Sequence, residues 1–163
     1  MTPPAVSRTT PCGTWPEPIT VQDGPETGQV RLHTRFYEVL HDRRRGGAVV
    51  SIRCPYASDR NLLLAPMNCE VLPEDDDAPL AAAAAPARRL HVTATAAGAR
   101  VEVAGNLHDA SGNTADIGYE FTYEYRWGMI RLRQALPFPA QGIPVRRGTL
   151  PSLPFRPGLA RFG

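Results

Sequence analysis

Glu102 and Glu120 are the residues whose type and placement best suit chemistry in this chain. Each stands in a run where every second residue is apolar: Val101, Val103 and Leu107 in the first, Tyr119, Phe121, Tyr123 and Tyr125 in the second. In strands, that alternation sends both glutamates to the polar face, and the register between the runs decides what surrounds them. The loop Asp109-Ala110-Ser111-Gly112-Asn113 joins the runs and sets Val103 opposite Tyr119, Val101 opposite Phe121 and Glu102 opposite Glu120. Facing carboxylates repel unless something compensates them. Arg100 and Arg133 fall diagonal to the pair, Glu124 falls opposite Arg131, and His91 stands on the preceding run. Two readings follow. One is a surface lattice of exposed charges, each pair worth at most about 1 kcal/mol. The other is a polar groove for a sugar or sugar acid, with the carboxyl pKa values raised. Glycoside hydrolysis needs two carboxyls at a defined separation across a substrate. Neighbours on one sheet do not supply that, so no catalytic residue is assigned. The candidate ligand-binding residues are Glu102, Glu120, Arg100, Arg133 and His91, together with Trp127, an aromatic beside Gly128 in a turn.

Other chemistries find no support in the spacing. His33, His41, His91 and His108 lack the HxH or HxxxH spacing of metal ligands, and Cys12, Cys54 and Cys69 include no CxxC pair. Asp75, Asp76 and Asp77 have no glycine or glutamate at the positions a calcium loop requires. GxSxG, P-loop and dinucleotide-binding glycine patterns are missing as well, so neither a metal nor a cofactor is expected. An odd number of cysteines argues against a disulfide framework. Cys54 and Cys69 have the option of pairing in a secreted protein, but buried free thiols are the expectation.

All 18 basic residues are arginine, and they are interleaved with acids to a net charge of +2. The runs Arg43-Arg44-Arg45, Arg88-Arg89 and Arg146-Arg147 read as solvated turns and make no patch for a nucleic-acid partner. The longest apolar run, Ala78 to Ala87, is mostly alanine interrupted by Pro79 and Pro86. It falls short of the roughly 20 strongly apolar residues that cross a bilayer, so no membrane partner is expected. The N-terminal stretch lacks the apolar core of a signal peptide. That places the protein in the cytoplasm if this start is native, and outside the cell if a signal precedes it.

The elements that must position these residues are strands. Leu90, Val92 and Ala94 alternate, Ala97-Gly98 turns, and the two runs above follow; beyond Trp127-Gly128 come Ile130, Leu132 and Leu136. A two-residue turn at Ala97-Gly98 sets Ala94 opposite Val101 and Val92 opposite Val103; an even turn at Trp127-Gly128 sets Tyr123 opposite Leu132 and Tyr125 opposite Ile130. Residues 88–136 therefore form a four-stranded antiparallel meander with one apolar face. On this register Thr95, Arg100, Thr122 and Arg133 share one polar row, and Thr93, Glu102, Glu120 and Ala135 the next. The tyrosines share the face of the neighbouring aliphatics, which makes them core and not a stacking platform.

The apolar face needs a second layer, and the runs "QVRLHTRFYEVLHD", "GGAVVSIRC" and "NLLLAPMNCEVL" between Ile19 and Leu72 provide strands for it. The fold class is an all-β antiparallel sandwich. Proline-rich composition sets off residues 1–18 as an N-terminal arm, with Trp15 able to pin it, and residues 142–163 as a C-terminal extension; the sandwich is 19–141. Residues 73–86 read as a surface loop or, at most, a short helix.

The stretch "TRFYEVLHDRRRGGAVVSI" followed by "NLLLAP" resembles the opening of the galactose-mutarotase-like β-sandwich domain of glycoside hydrolases and polysaccharide lyases. There a Y-x-V strand, a Gly-Gly turn, a strand ending in Ser-Ile and an N-L-L segment follow one another. "VEVAGNLHDASGN" and "GYEFTYEYRWGMIRLRQAL" are similar to the strands that continue it, so the likeness spans roughly Val30 to Leu136. It implies a non-catalytic or partial carbohydrate-associated module of a larger carbohydrate-active protein. The partners would then be a carbohydrate, a catalytic domain or a second copy. A structural or protein-interaction domain without sugar binding is the alternative, and a mutarotase-like epimerase or polysaccharide lyase the third. No histidine or glutamate matches the epimerase site well enough to carry a role across.

Overall fold

The computed structural model describes residues 8–12 through their backbone, and 19–24, 26–56, 59–95 and 97–156. Trp15 and its neighbours in the arm lie outside the described residues. The molecule is a sandwich of two antiparallel sheets. The smaller sheet runs in chain order through β1 (Arg8–Cys12), β2 (Ile19–Gly24), β3 (Gln29–His33), β4 (Glu38–Asp42) and β5 (Ala48–Arg53). The larger contains β6 (Asn68–Pro73), β7 (Leu80–Ala81), β8 (Arg89–Thr95), β9 (Gly98–His108), β10 (Thr114–Arg126), β11 (Met129–Ala135) and β12 (Val145–Ser152). Its order is β11-β10-β9-β7-β6-β12. β8 shares an edge of β9 with β7: it pairs with Gly98 to Ala104, whereas β7 meets His108. Strict alternation builds the core, since Val30, Leu32 and Val39 from the small sheet and Val101, Leu107, Ile117 and Tyr119 from the large one are all buried in one cluster.

Two glycines let the β4–β5 hairpin descend onto the large sheet. Asp42 caps the turn through Oδ1, which accepts from the Arg44 amide at 2.9 Å, and Gly46 and Gly47 then take φ values of 61° and 70°. A Cβ on Gly47 would lie 2.4 Å from Val103 Cγ1, so only glycine permits both the backbone angle and the contact. The arginine run sits in this turn as expected, with Arg43 clamping Asp23 by two bonds of 2.8 and 3.0 Å.

Several sequence expectations change. β6 joins the meander's sheet and not the N-terminal layer, so the second layer ends at β5. The C-terminal boundary also moves. Val145–Ser152 is not an extension but a strand, β12, antiparallel to β6, and Phe155 makes a further bridge to Leu63. Pro144, Pro151 and Pro154 disguise it; only Pro151 lies within the strand, where it is tolerated because β12 is an edge strand among the described residues. Within the arm, β1 pairs with β2. The segment after Pro73 is a loop that ends in a short 3-10 helix, Ala82–Ala84, as expected, but it also supplies β7, a two-residue strand between β6 and β9.

The meander forms with its faces as expected, yet two of its three registers are displaced by two residues. β10 and β11 pair as the spacing requires, Tyr123 with Leu132 and Glu124 with Arg131. The Asp109–Asn113 loop also closes as expected, on His108 opposite Thr114, with Asp109 Oδ1 accepting from the Ser111 and Asn113 amides at 2.8 and 2.9 Å. The Asn113 side-chain amide, which donates to Asp109 Oδ2 at 2.8 Å, and then those backbone bonds hold the Asp109 carboxyl below its usual range. Beyond the loop, β10 advances from Thr114 to Gly118 while β9 steps back only from His108 to Asn106. This bulge shifts every later pair, so Glu102 faces Thr122 and Glu120 faces Ala104. At the other hairpin Gly98 is not a turn residue; it opens β9 opposite Thr95, and a Cβ there would lie 2.0 Å from the Tyr125 carbonyl oxygen.

Candidate functional site

Because both shifts are even, every polar-face residue stays on its face and only the rows change. His91, Glu102, Thr122 and Arg133 now share one row, and Thr93, Arg100, Glu124 and Arg131 the next. The facing-glutamate pair is thereby removed: Glu102 and Glu120 are diagonal neighbours. Glu124, only 16% exposed at its side chain, collects the arginines, with Arg100 at 3.2 Å, Arg131 at 3.8 Å and Arg126 at 4.0 Å. Of the predicted residues, Arg100 is therefore committed to this charge lattice. His91 and Arg133 are exposed, and Glu102 is half-buried between His91 and Thr122.

Glu120 goes elsewhere. It stands at the rim of a cleft of about 250 Å³ that the bulge opens, together with Arg88, Asn106, Asp116 and Phe138. The bulge turns the Asp116 region outward. The strap after β11 folds across the gap, and Pro137 O accepts from the Gly118 amide at 2.9 Å. Gly118 has no room for a side chain, since a Cβ would come within 2.8 Å of Pro137 Cγ. Asn106 is fixed by its Nδ2, which donates to Ala115 O at 3.2 Å. Tyr119 lies under the cleft and donates to Gly46 O at 3.2 Å; burial pushes its hydroxyl up to about 12, with the Arg88 charge opposing that rise. Arg88, Asp116 and Glu120 make no ion pair among the described residues. One cation and two carboxylates thus line the same opening without neutralising each other. An amide and an exposed aromatic ring complete the lining. Sequence reasoning reached Glu120 only. Arg88, Asp116 and Phe138 carried no signal, because a bulge and a strap bring them together.

Trp127 occupies the β10–β11 turn at one end of the sandwich. It packs edge-on against Phe36, with centroids 4.6 Å apart, and Phe36 leads on to Tyr56, whose hydroxyl accepts from Arg35 Nε at 2.8 Å. Phe36, Trp127 and Tyr56 are 38%, 37% and 69% exposed, so the turn belongs to a surface aromatic cluster. The interior aromatics are core, as expected: Tyr119, Phe121, Tyr123 and Tyr125 are all buried. Cys54 and Cys69 are free thiols, and burial, then Glu70, raises Cys69 to about 11. The chain matches no protein-family model, no curated protein and no solved structure.

Proposed function

We propose that this protein is a carbohydrate-binding sandwich module and that the bulge cleft is where it holds a sugar unit. The observation that carries this reading is the lining: Arg88, Asp116, Glu120 and Asn106 converge unpaired by one another on a single opening beside the Phe138 ring. Vicinal hydroxyls of a sugar both donate and accept. Carboxylates accept from them, a guanidinium donates to them, and a ring packs on the apolar face of the pyranose. The similarity of residues 30–136 to the galactose-mutarotase-like domain supports the same substrate class. Attachment to a catalytic domain of a carbohydrate-active protein is part of this proposal, and no reaction is assigned to the module itself.

A second reading places the sugar on the Phe36–Tyr56–Trp127 cluster, favoured by the exposure of its three rings. A glycan array on the full chain, followed by calorimetric titration of the best glycan, separates the two. Under the cleft reading Glu120→Gln with Asp116→Asn weakens binding at least tenfold, as loss of about two charged hydrogen bonds implies, while Trp127→Ala leaves it unchanged. Loss in Trp127→Ala alone moves the site to the sandwich end. No glycan binding by the array leaves the structural or protein-interaction domain as the function.

A further inference from the structure

The large sheet curls until its two outer strands flank one apolar cleft, which the sugar reading does not use. Ile130 and Leu132 of β11 line one side; Pro151 of β12 and the following Leu153 line the other. The floor is core, Val39 and Tyr123 among it, and the volume is about 130 Å³. That is comparable to the roughly 150 Å³ of an apolar cavity that admits a benzene-sized guest. The cleft lies where the inward side chains of one more strand beside β11 would go, since Ile130 and Leu132 are β11's own inward positions.

The two flanking edges are not equivalent. β12 is blunted by Pro151, which has no amide hydrogen to offer, whereas β11 carries no proline from Met129 to Ala135. On its outer face β11 presents Arg131 and Arg133, with Met129 and Ile130 exposed at its start. A second copy pairing antiparallel about Leu132 would set Arg131 against the other copy's Arg133 twice over, which like-charge repulsion disfavours. A strand with acids at those positions would be attracted. β10 is an example of such a strand. It already occupies the other edge of β11, places apolar Tyr123 and Tyr125 inward, and presents Glu124 to Arg131. Arg133 faces Thr122 across that pair and has no ion pair among the described residues.

We infer that the outer edge of β11, unpaired among the described residues, docks an extended segment of another protein in which apolar and acidic residues alternate, adding a strand whose apolar side chains enter the cleft. The test uses the full chain and a short fluorescein-labelled peptide of alternating valine and glutamate, followed by anisotropy. Saturable binding is expected. It should weaken at least tenfold in Arg133→Glu, a surface change that leaves the melting temperature unaltered, and fall likewise when the peptide's glutamates become lysines. Slowed amide exchange across residues 129–135 should accompany binding. Absence of saturable binding overturns the inference, as does equal binding of the lysine peptide or by Arg133→Glu. A dimer in sedimentation whose formation blocks the peptide also overturns it, by giving the edge to a second copy.

Discussion

His41 is fully buried between the sheets with both ring nitrogens engaged, and the partners settle its tautomer. Gly47 O can only accept, so Nδ1 carries the proton at 2.8 Å, leaving Nε2 to accept from the Tyr125 hydroxyl at 2.6 Å. Burial lowers the imidazole from 6.5 to about 4; the Gly47 bond opposes this and the Arg43 charge adds to it. A depressed histidine pKa means that the unfolded chain binds the extra proton first. The neutral ring's contribution is therefore complete above pH 6.5 and is lost as pH falls from 6.5 through 4, by an amount on the order of 3 kcal/mol. Urea midpoints measured from pH 7.5 to 4 should fall across that window, and a flat profile would contradict the buried neutral ring. The neighbouring tyrosines offer a contrast. Tyr125→Phe strands Nε2 of His41 and should cost about 1–3 kcal/mol. The Tyr123 hydroxyl is buried with no hydrogen-bond partner among the described residues, so Tyr123→Phe should leave stability equal or raise it by up to about 1 kcal/mol. Thermal melts of both variants check the pair.

At the scale of elements, parity and register prove to be separate questions. Which side of β9 and β10 faces the core follows from alternation, and the buried Val101, Val103, Phe121 and Tyr123 are where alternation puts them. The pairing partner depends on what the ends of each strand tolerate. Glycine is a common turn former, so Ala97-Gly98 reads as a turn. Yet Gly98 is a buried strand residue at φ 148°, pressed against the Tyr125 carbonyl. Gly98→Ala should accordingly destabilise by about 2 kcal/mol or more through backbone strain and overlap, whereas a glycine in a free turn would accept alanine at little cost. Denaturant unfolding of that variant decides between them. The bulge between Thr114 and Gly118 has no residue signature of its own: Ala115, Asp116 and Ile117 continue the alternating pattern closely enough to read as regular strand.

For the molecule as a whole, the proline-rich tail is part of the structure. β12 covers β6, and Phe155 and Arg156 pack on the segment around Asn61 to Leu63, with Arg156 Nε donating to Asn61 O at 3.0 Å. Truncation that removes residues 142–163 should therefore lower the melting temperature by about 5 °C or more and increase binding of a hydrophobic dye, as the edge of β6 and the buried Leu63 are uncovered. An unchanged melt would return the tail to the status of an appendage. The same curl of the large sheet brings β11 and β12 to one cleft, which makes its open side the place where the fold can accept another strand.

By itself the sequence determined the class of fold, the four meander strands, the face each residue in them occupies, and the core role of Tyr119, Tyr123 and Tyr125. All of these rest on alternation, a local property that a single chain segment expresses without reference to its partners. It also marked Glu120 as polar and outward. Only the tertiary structure decided the rows in which the polar residues stand, because the bulge adds a register shift that preserves parity and so leaves the alternation intact. Only the tertiary structure gathered Arg88, Asp116 and Phe138 around Glu120, since they come from the approach to β8, from the bulge and from a strap after β11. The same holds for the edge that β12 occupies. Pro151 within it, and the prolines on either side, argue against a strand in isolation, and Pro151 is acceptable only because β12's outer edge is left unpaired among the described residues.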